Sequence, residues 1–298
     1  MLGYVQLLRP LNCLMTAVAV FVGGLLVMGG APEGLLTLRI AMLAAFLVAG
    51  GGNAINDYTD VEADKVNRPK RPIPSGRASK RGALAFSIAL FVLGIVLAGM
   101  INWVTFFIAL VNSVLLIAYS THLQDKLLVG NAAISYLVGS GFLFGGAALG
   151  NLTLPFLLFL LAGLSNMSRE IVKDLEDIAG DKAGFLKRLT YGAKRKVHSI
   201  ADRFGVTSGG IRLKYGRRLV VAAGLSLALA IAVSPVPYML GILGVSYLVI
   251  LVPTDIVFLA CIFGLAKGRG KKKYGRISKG IKLGMFLGLI AFLAGVFI

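Results

Sequence analysis

The sequence predicts an all-α, polytopic membrane protein: a bundle of nine transmembrane helices with cytoplasmic cap loops, N-terminus in and C-terminus out. Three observations carry this reading. The 298-residue chain is 57% hydrophobic and only 15% charged, with a mean hydropathy of +0.84, whereas soluble domains carry about 25% charged residues. Apolar runs of roughly 20 residues, enough to cross a hydrocarbon core, recur along its whole length. The cationic side chains, assigned to loops on that basis, fall almost entirely on one side. A membrane barrel would show short alternating segments instead, so helices are the spanning element.

The first run, 11–30, could pass for a signal peptide. Nothing after it resembles a secreted domain, so it reads as an uncleaved helix. The second, 38–56, carries Gly50, Gly51 and Gly52; no strand precedes them, so they read as small packing residues and not as a phosphate loop. The third and fourth, 82–101 and 103–120, are separated by Asn102 alone. The fifth, 130–149, contains GNAAISYLVGSGFLFGGAALG, with glycines at 139, 141, 145, 146 and 150 spaced for close helix approach. Runs at 152–172, 218–236, 238–266 and 280–298 complete the set. The whole chain, 1–298, reads as one transmembrane domain.

The outer connections are short: 31–39, Asn102, Gly150–Asn151 and the Pro235–Pro237 corner. The inner ones are long and charged, with caps at about 57–81 and 174–217. Within the second, KRLTYGAKRKVHSIADRFG is expected to form a short amphipathic helix on the membrane or over a cavity. The segment 267–279, KGRGKKKYGRISK, has no acidic residue and reads as a headgroup-facing loop.

Formal net charge is +18. With the N-terminus inside, every one of the 31 Lys and Arg residues except Arg39 lies on the cytoplasmic side, the positive-inside bias. Basic loops facing anionic lipid explain the charge better than nucleic acid, for which no aromatic-interleaved basic patch exists. Cys13 and Cys261 lie far apart inside predicted helices, so neither a disulfide framework nor a metal site follows. His122 and His198 stand alone and read as interfacial side chains.

The chemistry is concentrated where the second run ends: NDYTDVEADKVNRPKRPIPSG. Asp57, Asp60 and Asp64 are spaced D-x-x-D-x-x-x-D, and steps of three and four put them on one helical face, with Asn53 one turn earlier. After the sixth run, NMSREIVKDLEDIAGDKAG repeats the pattern as Asp174, Asp177 and Asp181, with Glu170 one turn earlier. The offset is 117 residues for each member (57 to 174, 60 to 177, 64 to 181). Like charges on one face repel, hydrocarbon nearby raises the penalty, and a helix C-terminus disfavours anions. Acidic ends bridged to the neighbouring basic loops would be worth little and would leave the repeated register unexplained. Mg²⁺ fits: a hard cation held by a few carboxylates and completed by water and phosphate oxygens. Two such clusters would hold two or more ions and, between them, one diphosphate.

Arg68, Lys70, Arg71 and Arg77 follow the first cluster and are placed to neutralise phosphate oxygens. Pro69, Pro72 and Pro74 stiffen their segment, and Gly76 permits a tight turn. A diphosphate site at the mouth of an apolar bundle suits a phosphorylated lipid.

These residues also resemble the UbiA superfamily of intramembrane prenyltransferases. The first family motif, N-D-x-x-D-x-x-x-D, stands here as Asn56, Asp57, Asp60 and Asp64. The second, D-x-x-x-D with an upstream Asp, is matched by Asp177 and Asp181 with Asp174. RPLN (Arg9, Pro10, Asn12) and YSTHLQDKLLVGN (Tyr119, Lys126, Asn131) are similar to further family patterns. The resemblance covers nearly the whole chain and implies Mg²⁺-dependent transfer of an isoprenoid from its diphosphate to an acceptor. DVEADKVNRPKRPIPSG and REIVKDLEDIAGD are most similar to the archaeal branch. That branch transfers a geranylgeranyl group from geranylgeranyl diphosphate to the free hydroxyl of geranylgeranylglyceryl phosphate. The basic stretch between 184 and 217 departs from the family pattern.

The expected partners are thus an isoprenyl diphosphate, a lipid phosphate acceptor and membrane lipids in the cell membrane. Arg9, Asn12 and Thr16 share a face of the first helix and are expected around a substrate phosphate. Tyr119, seven residues after Asn112 on the same face, reads either as lining the reaction cavity or as a belt tyrosine, and Lys126 is a candidate diphosphate ligand through the family pattern alone. Asp255, in LVPTDIVFL, precedes Lys267 by 12 residues, about 18 Å along a helix. Intramembrane carboxylates face a cavity or a partner, so it reads as an acceptor contact or a structural pair. Two other functions compete. An aromatic acceptor keeps the chemistry but brings no second phosphate. A transporter would need charged groups along the midplane, where only Asp255 lies.

Overall fold

The computed structural model describes residues 2–29, 34–124, 126–180, 208–267 and 270–298. In order, these form α1 (Leu2–Leu8), α2 (Pro10–Met28), α3 (Leu35–Thr59), α4 (Val61–Asn67), α5 (Lys80–Ile101) and α6 (Trp103–Ala118). A π-helical turn, Tyr119–Leu123, extends α6. Then come α7 (Leu127–Ala148), α8 (Thr153–Gly180), α9 (Ser208–Val233), α10 (Val236–Met239), α11 (Val245–Lys267) and α12 (Lys271–Phe297). Among the described residues there is no strand, and nine helices are long and apolar enough to cross a membrane. Large apolar side chains such as Leu36, Met100, Phe107, Val249, Phe263 and Phe286 are exposed, as a lipid solvent requires.

The chain divides into two compact units, one of residues 1–124, 136–159 and 297, the other of 125–135, 160–296 and 298. In the first, α3 is the hub and packs against α1, α2, α5 and α6. Its three consecutive glycines stand about 100° apart around the axis, so each meets a different neighbour. A Cβ at Gly50 would lie 2.3 Å from Leu8 Cδ1, at Gly51 2.9 Å from Phe91, and at Gly52 2.8 Å from Leu116. The expected small-residue packing of the fifth span is present too. A Cβ at Gly23 would come within 2.0 Å of the Phe142 carbonyl oxygen, and one at Gly145 within 2.0 Å of that of Val20. The one-residue connection between α5 and α6 is a capping box: Asn102 accepts from Thr105 N at 2.9 Å and donates to the Ala147 carbonyl at 2.9 Å.

The second unit has its own core, in which Ile171, Val172 and Leu175 of α8 pack with Leu219, Ala223 and Leu227 of α9, Phe258 and Cys261 of α11, and Ile277 and Ile281 of α12. Two sequence expectations change here. The eighth span does not run unbroken from 238: Ser234–Gly244 folds into a corner, with α10 and Gly241 at φ 66°, and α11 starts at Val245. The segment read as a loop to 279 is helical from Lys271, because Tyr274, Ile277 and Ile281 form a three-to-four-spaced apolar stripe that reaches the core. Of the long insertion, 208–217 begins α9, and KRLTYGAKRKVHSIADRFG lies outside the described residues.

Gly145→Ala and Gly23→Ala each push a methyl group onto a backbone carbonyl that has no rotamer to relax into. Each is expected to destabilise by about 1–3 kcal/mol, as core overpacking does. Gly224→Ala in α9 meets nothing within 4 Å and is expected to raise stability by up to about 1 kcal/mol through helix propensity. Thermal melts in detergent that gave all three the same sign would contradict this packing.

Candidate functional site

The first acidic motif spans a helix break. α3 ends at Thr59, and Asp60, at φ −84° and ψ 3°, joins it to α4. The backbone ladder continues regardless: Asp60 N to Asn56 O is 3.0 Å, and Asp64 N to Asp60 O is 2.8 Å. The three-and-four spacing therefore still works, and two carboxylates converge on one cation. Arg71 Nη1 lies 3.2 Å from Asp57 Oδ1 and 2.5 Å from Asp64 Oδ2. Arg9 Nη2 pairs with the same Asp57 oxygen. The side chains of Asp57 and Asp64 are only 4% and 8% exposed, so these pairs are screened little by water. Glu62 is outside this group: it is exposed and bound to Lys65 at 2.9 Å, which holds its carboxyl below the usual range.

Arg9 is delivered by a strained corner. Among the described residues it is the sole non-glycine with positive φ, at φ 50° and ψ 68°, an arrangement costing about 1–3 kcal/mol. Pro10 disfavours α geometry in the residue before it, so the chain breaks between α1 and α2. The break exposes the Leu8 carbonyl, which accepts from Asn53 Nδ2 at 2.9 Å and Cys13 Sγ at 3.0 Å. Asn53, expected near substrate, is thus engaged in fastening this corner to α3.

Asp60 is held differently. Its Oδ2 accepts from Asn56 Nδ2 at 3.0 Å and its Oδ1 from Gln124 Nε2 at 3.1 Å. The basic segment after α4 is anchored by Ile73 and Ala78, which pack with Leu7, Ala54 and Ala83, and by Arg77, which donates to the Lys70 carbonyl. Gly76 takes φ 75° in its turn. Arg71 is turned inward, while Arg68 and Lys70 are exposed. Asn12 is exposed on α2, and Tyr119 is half-buried at the start of the π turn.

In the second unit, Glu170, Asp174 and Asp177 lie along the last turns of α8; Asp181 lies outside the described residues. Asp174 Oδ2 accepts from Asn131 Nδ2 at 2.7 Å. Glu170 Oε1 is paired with Lys173 at 2.7 Å and Arg169 at 2.8 Å, and Asp177 and Lys126 are exposed. Asp255, in the interior of α11, accepts from Ser234 Oγ at 2.8 Å, and Tyr247 donates to the Ser234 carbonyl at 2.6 Å. Its partner is therefore the corner that replaced the predicted start of the eighth span.

Among the described residues no three acidic, histidine or cysteine side chains stand close enough to form a metal-ligand group as they are. The donor chemistry fits nonetheless. Asp57 and Asp64 are hard oxygen donors aimed at one positive nitrogen, which is what Mg²⁺ selects. Gln124 and Ser234 were missed from the sequence, and Asn131 was noticed only through a pattern. None carries charge or periodic hydrophobicity, so only three-dimensional contact reveals them.

Residues 16–290 match the UbiA prenyltransferase family. A protein from Methanopyrus kandleri named digeranylgeranylglyceryl phosphate synthase is 42% identical over 99% of this chain and 100% of its own length. Its namesake from Methanosarcina mazei is 40% identical over 98% of both chains. A solved structure of digeranylgeranylglyceryl phosphate synthase aligns over 99% of this chain and 98% of its own, at 34% identity and a TM-score of 0.84. A UbiA homologue from Archaeoglobus fulgidus, bound to GPP and Mg²⁺, shares the fold at 18% identity and a TM-score of 0.58, over 98% of this chain and 99% of its own.

Among the described residues, Arg71→Ala would leave Asp64 without a cation and Asp57 with Arg9 alone. Removing one partner of such a buried pair costs about 3–5 kcal/mol, so a lower melting temperature is expected, partly restored by millimolar Mg²⁺. Arg68→Ala, at an exposed position, is expected to change stability by less than about 0.5 kcal/mol. Equal effects of the two variants, or no recovery with Mg²⁺, would contradict the assigned role of Arg71.

Proposed function

Because this chain belongs to the UbiA prenyltransferase family, we propose that it transfers a geranylgeranyl group from geranylgeranyl diphosphate to the free hydroxyl of geranylgeranylglyceryl phosphate. Full-length similarity carries the substrate assignment: relatives named digeranylgeranylglyceryl phosphate synthase align over 98–99% of the chain. The enzyme is a multi-pass membrane protein, suited to substrates whose chains dissolve in the bilayer. The one-sided distribution of Lys and Arg supports an N-in, C-out arrangement.

Asp57, Asp60, Asp64, Asp174, Asp177 and Asp181 are the proposed carboxylate ligands, and the Mg²⁺ held by a UbiA homologue supports a divalent ion. When bound, Mg²⁺ would stabilise the diphosphate as a leaving group. Arg9 and Arg71, which now compensate Asp57 and Asp64, would pair with phosphate oxygens once those carboxylates turn to metal. Arg68, Lys70 and Lys126 add positive charge for the departing diphosphate. The allylic C–O bond breaks with its electron pair leaving on the diphosphate, and the acceptor hydroxyl oxygen then bonds to the allylic carbon. A hydroxyl is a weak nucleophile, so bond breaking leads and water must be kept away from the cation. The aromatic face of Tyr119 is suited to that cation. The hydroxyl proton passes to the diphosphate or to a motif carboxylate.

The test uses full-length protein in liposomes with radiolabelled geranylgeranyl diphosphate. Geranylgeranylglyceryl phosphate competes with a panel of aromatic acids, with Mg²⁺ or with chelator. Metal-dependent product from the glycerol phosphate alone is expected, and Asp57→Asn or Asp177→Asn should reduce it to background. Product only with an aromatic acid would overturn the acceptor and leave the family chemistry standing.

A further inference from the structure

We propose that Gln124 is a positioning residue that fixes Asp60 as a metal ligand. The inference rests on the reading above that Asp60 binds the divalent ion.

Asp57 and Asp64 spend their charge on guanidinium groups. Asp60 alone of the first motif is held, among the described residues, by neutral amides. Its position also favours a different use. It stands at the N-cap of α4, where an aspartate ordinarily accepts from the first free N–H groups, yet it makes no side-chain cap bond. Instead one N–H reaches each oxygen, from Asn56 on its own helix and from Gln124 on another. Two donors on opposite oxygens fix the plane of the carboxylate. About four lone-pair directions exist on a carboxylate, so roughly two stay open to a cation.

Gln124 reaches this point through a backbone irregularity. The side of α6 facing the core is marked by Thr105, Ala109 and Ser113, continued by Ser120. Each step of four drifts about 40° around a regular α-helix. The π turn, closed by Gln124 N to Tyr119 O at 3.0 Å, takes an extra residue and cancels part of that drift. Gln124, exposed at the end of that turn, therefore stays within reach of the end of α3, where its Nε2 meets Asp60 Oδ1. π turns are rare and concentrate at functional sites.

The first experiment is a Mn²⁺ titration of the full-length protein in detergent without substrate. Gln124→Met keeps the shape and removes the donor. It is expected to weaken Mn²⁺ binding roughly tenfold, as loss of a ligand-orienting partner does, with an unchanged melting temperature in the absence of metal. The Mg²⁺ needed for half-maximal transfer should rise in proportion, while kcat recovers at saturating Mg²⁺. Unchanged Mn²⁺ affinity in Gln124→Met, whatever its melting temperature, would overturn the positioning role, provided Asp60→Asn binds weakly. If Asp60→Asn binds Mn²⁺ like the unaltered protein, Asp60 is not a ligand and the metal reading itself fails.

Discussion

The structure turns on keeping carboxylates at the ends of membrane helices. A carboxylate there loses solvation, meets the negative pole of its own helix and sits beside others of like charge. Each one resolved in the first motif is compensated by a different device. Asp57 takes two guanidinium groups, Asp64 shares one of them, and Asp60 takes two amides. The donors come from four separate stretches of chain, and much of the local fold serves to bring those stretches to the end of α3.

The glycine triplet is part of that service. Because Gly50, Gly51 and Gly52 point in three directions, α1, α5 and α6 all approach α3 closely about one and a half to two turns before the acids begin. α1 brings the Leu8–Pro10 corner and with it Arg9. α6 brings the π turn and Gln124. α5 begins where the basic segment ends, so the closeness of α5 to α3 limits where Arg71 can lie. Strain at Arg9 is tolerated because Asn53 and Cys13 satisfy the carbonyl that the break leaves open, and because the guanidinium gains a nearly buried partner.

In the second unit a polar residue in hydrocarbon is handled by the same logic. Asp255 lies half-buried within a span long and apolar enough to cross a membrane, and Pro253 beside it already interrupts the backbone ladder. The Ser234–Gly244 corner supplies its partner, Ser234, and Tyr247 holds the Ser234 carbonyl. The break in the predicted eighth span and the intramembrane carboxylate of Asp255 are thus one feature. Asp174 of the second motif likewise accepts from a side-chain amide, that of Asn131.

Hydrophobic runs, loop charge and the 117-residue acidic repeat determined by themselves the membrane class, the nine spans apart from the start of the eighth, and the position of the acidic clusters. These are properties of composition and period, which a chain carries whatever its neighbours are. The glycine-rich packing of α3 and α7 was legible for the same reason, since small residues at helical spacing allow little else. Tertiary structure alone decided which partner each acid takes. Asn53 turned from the expected substrate face to the Leu8 carbonyl, Asp255 found Ser234, and Gln124 emerged beside Asp60. It also decided that Lys271–Lys279 continues a helix, because Tyr274 and Ile277 are buried by residues remote in sequence. Hydrogen-bond partners and burial depend on contacts between distant segments, and no local pattern encodes them.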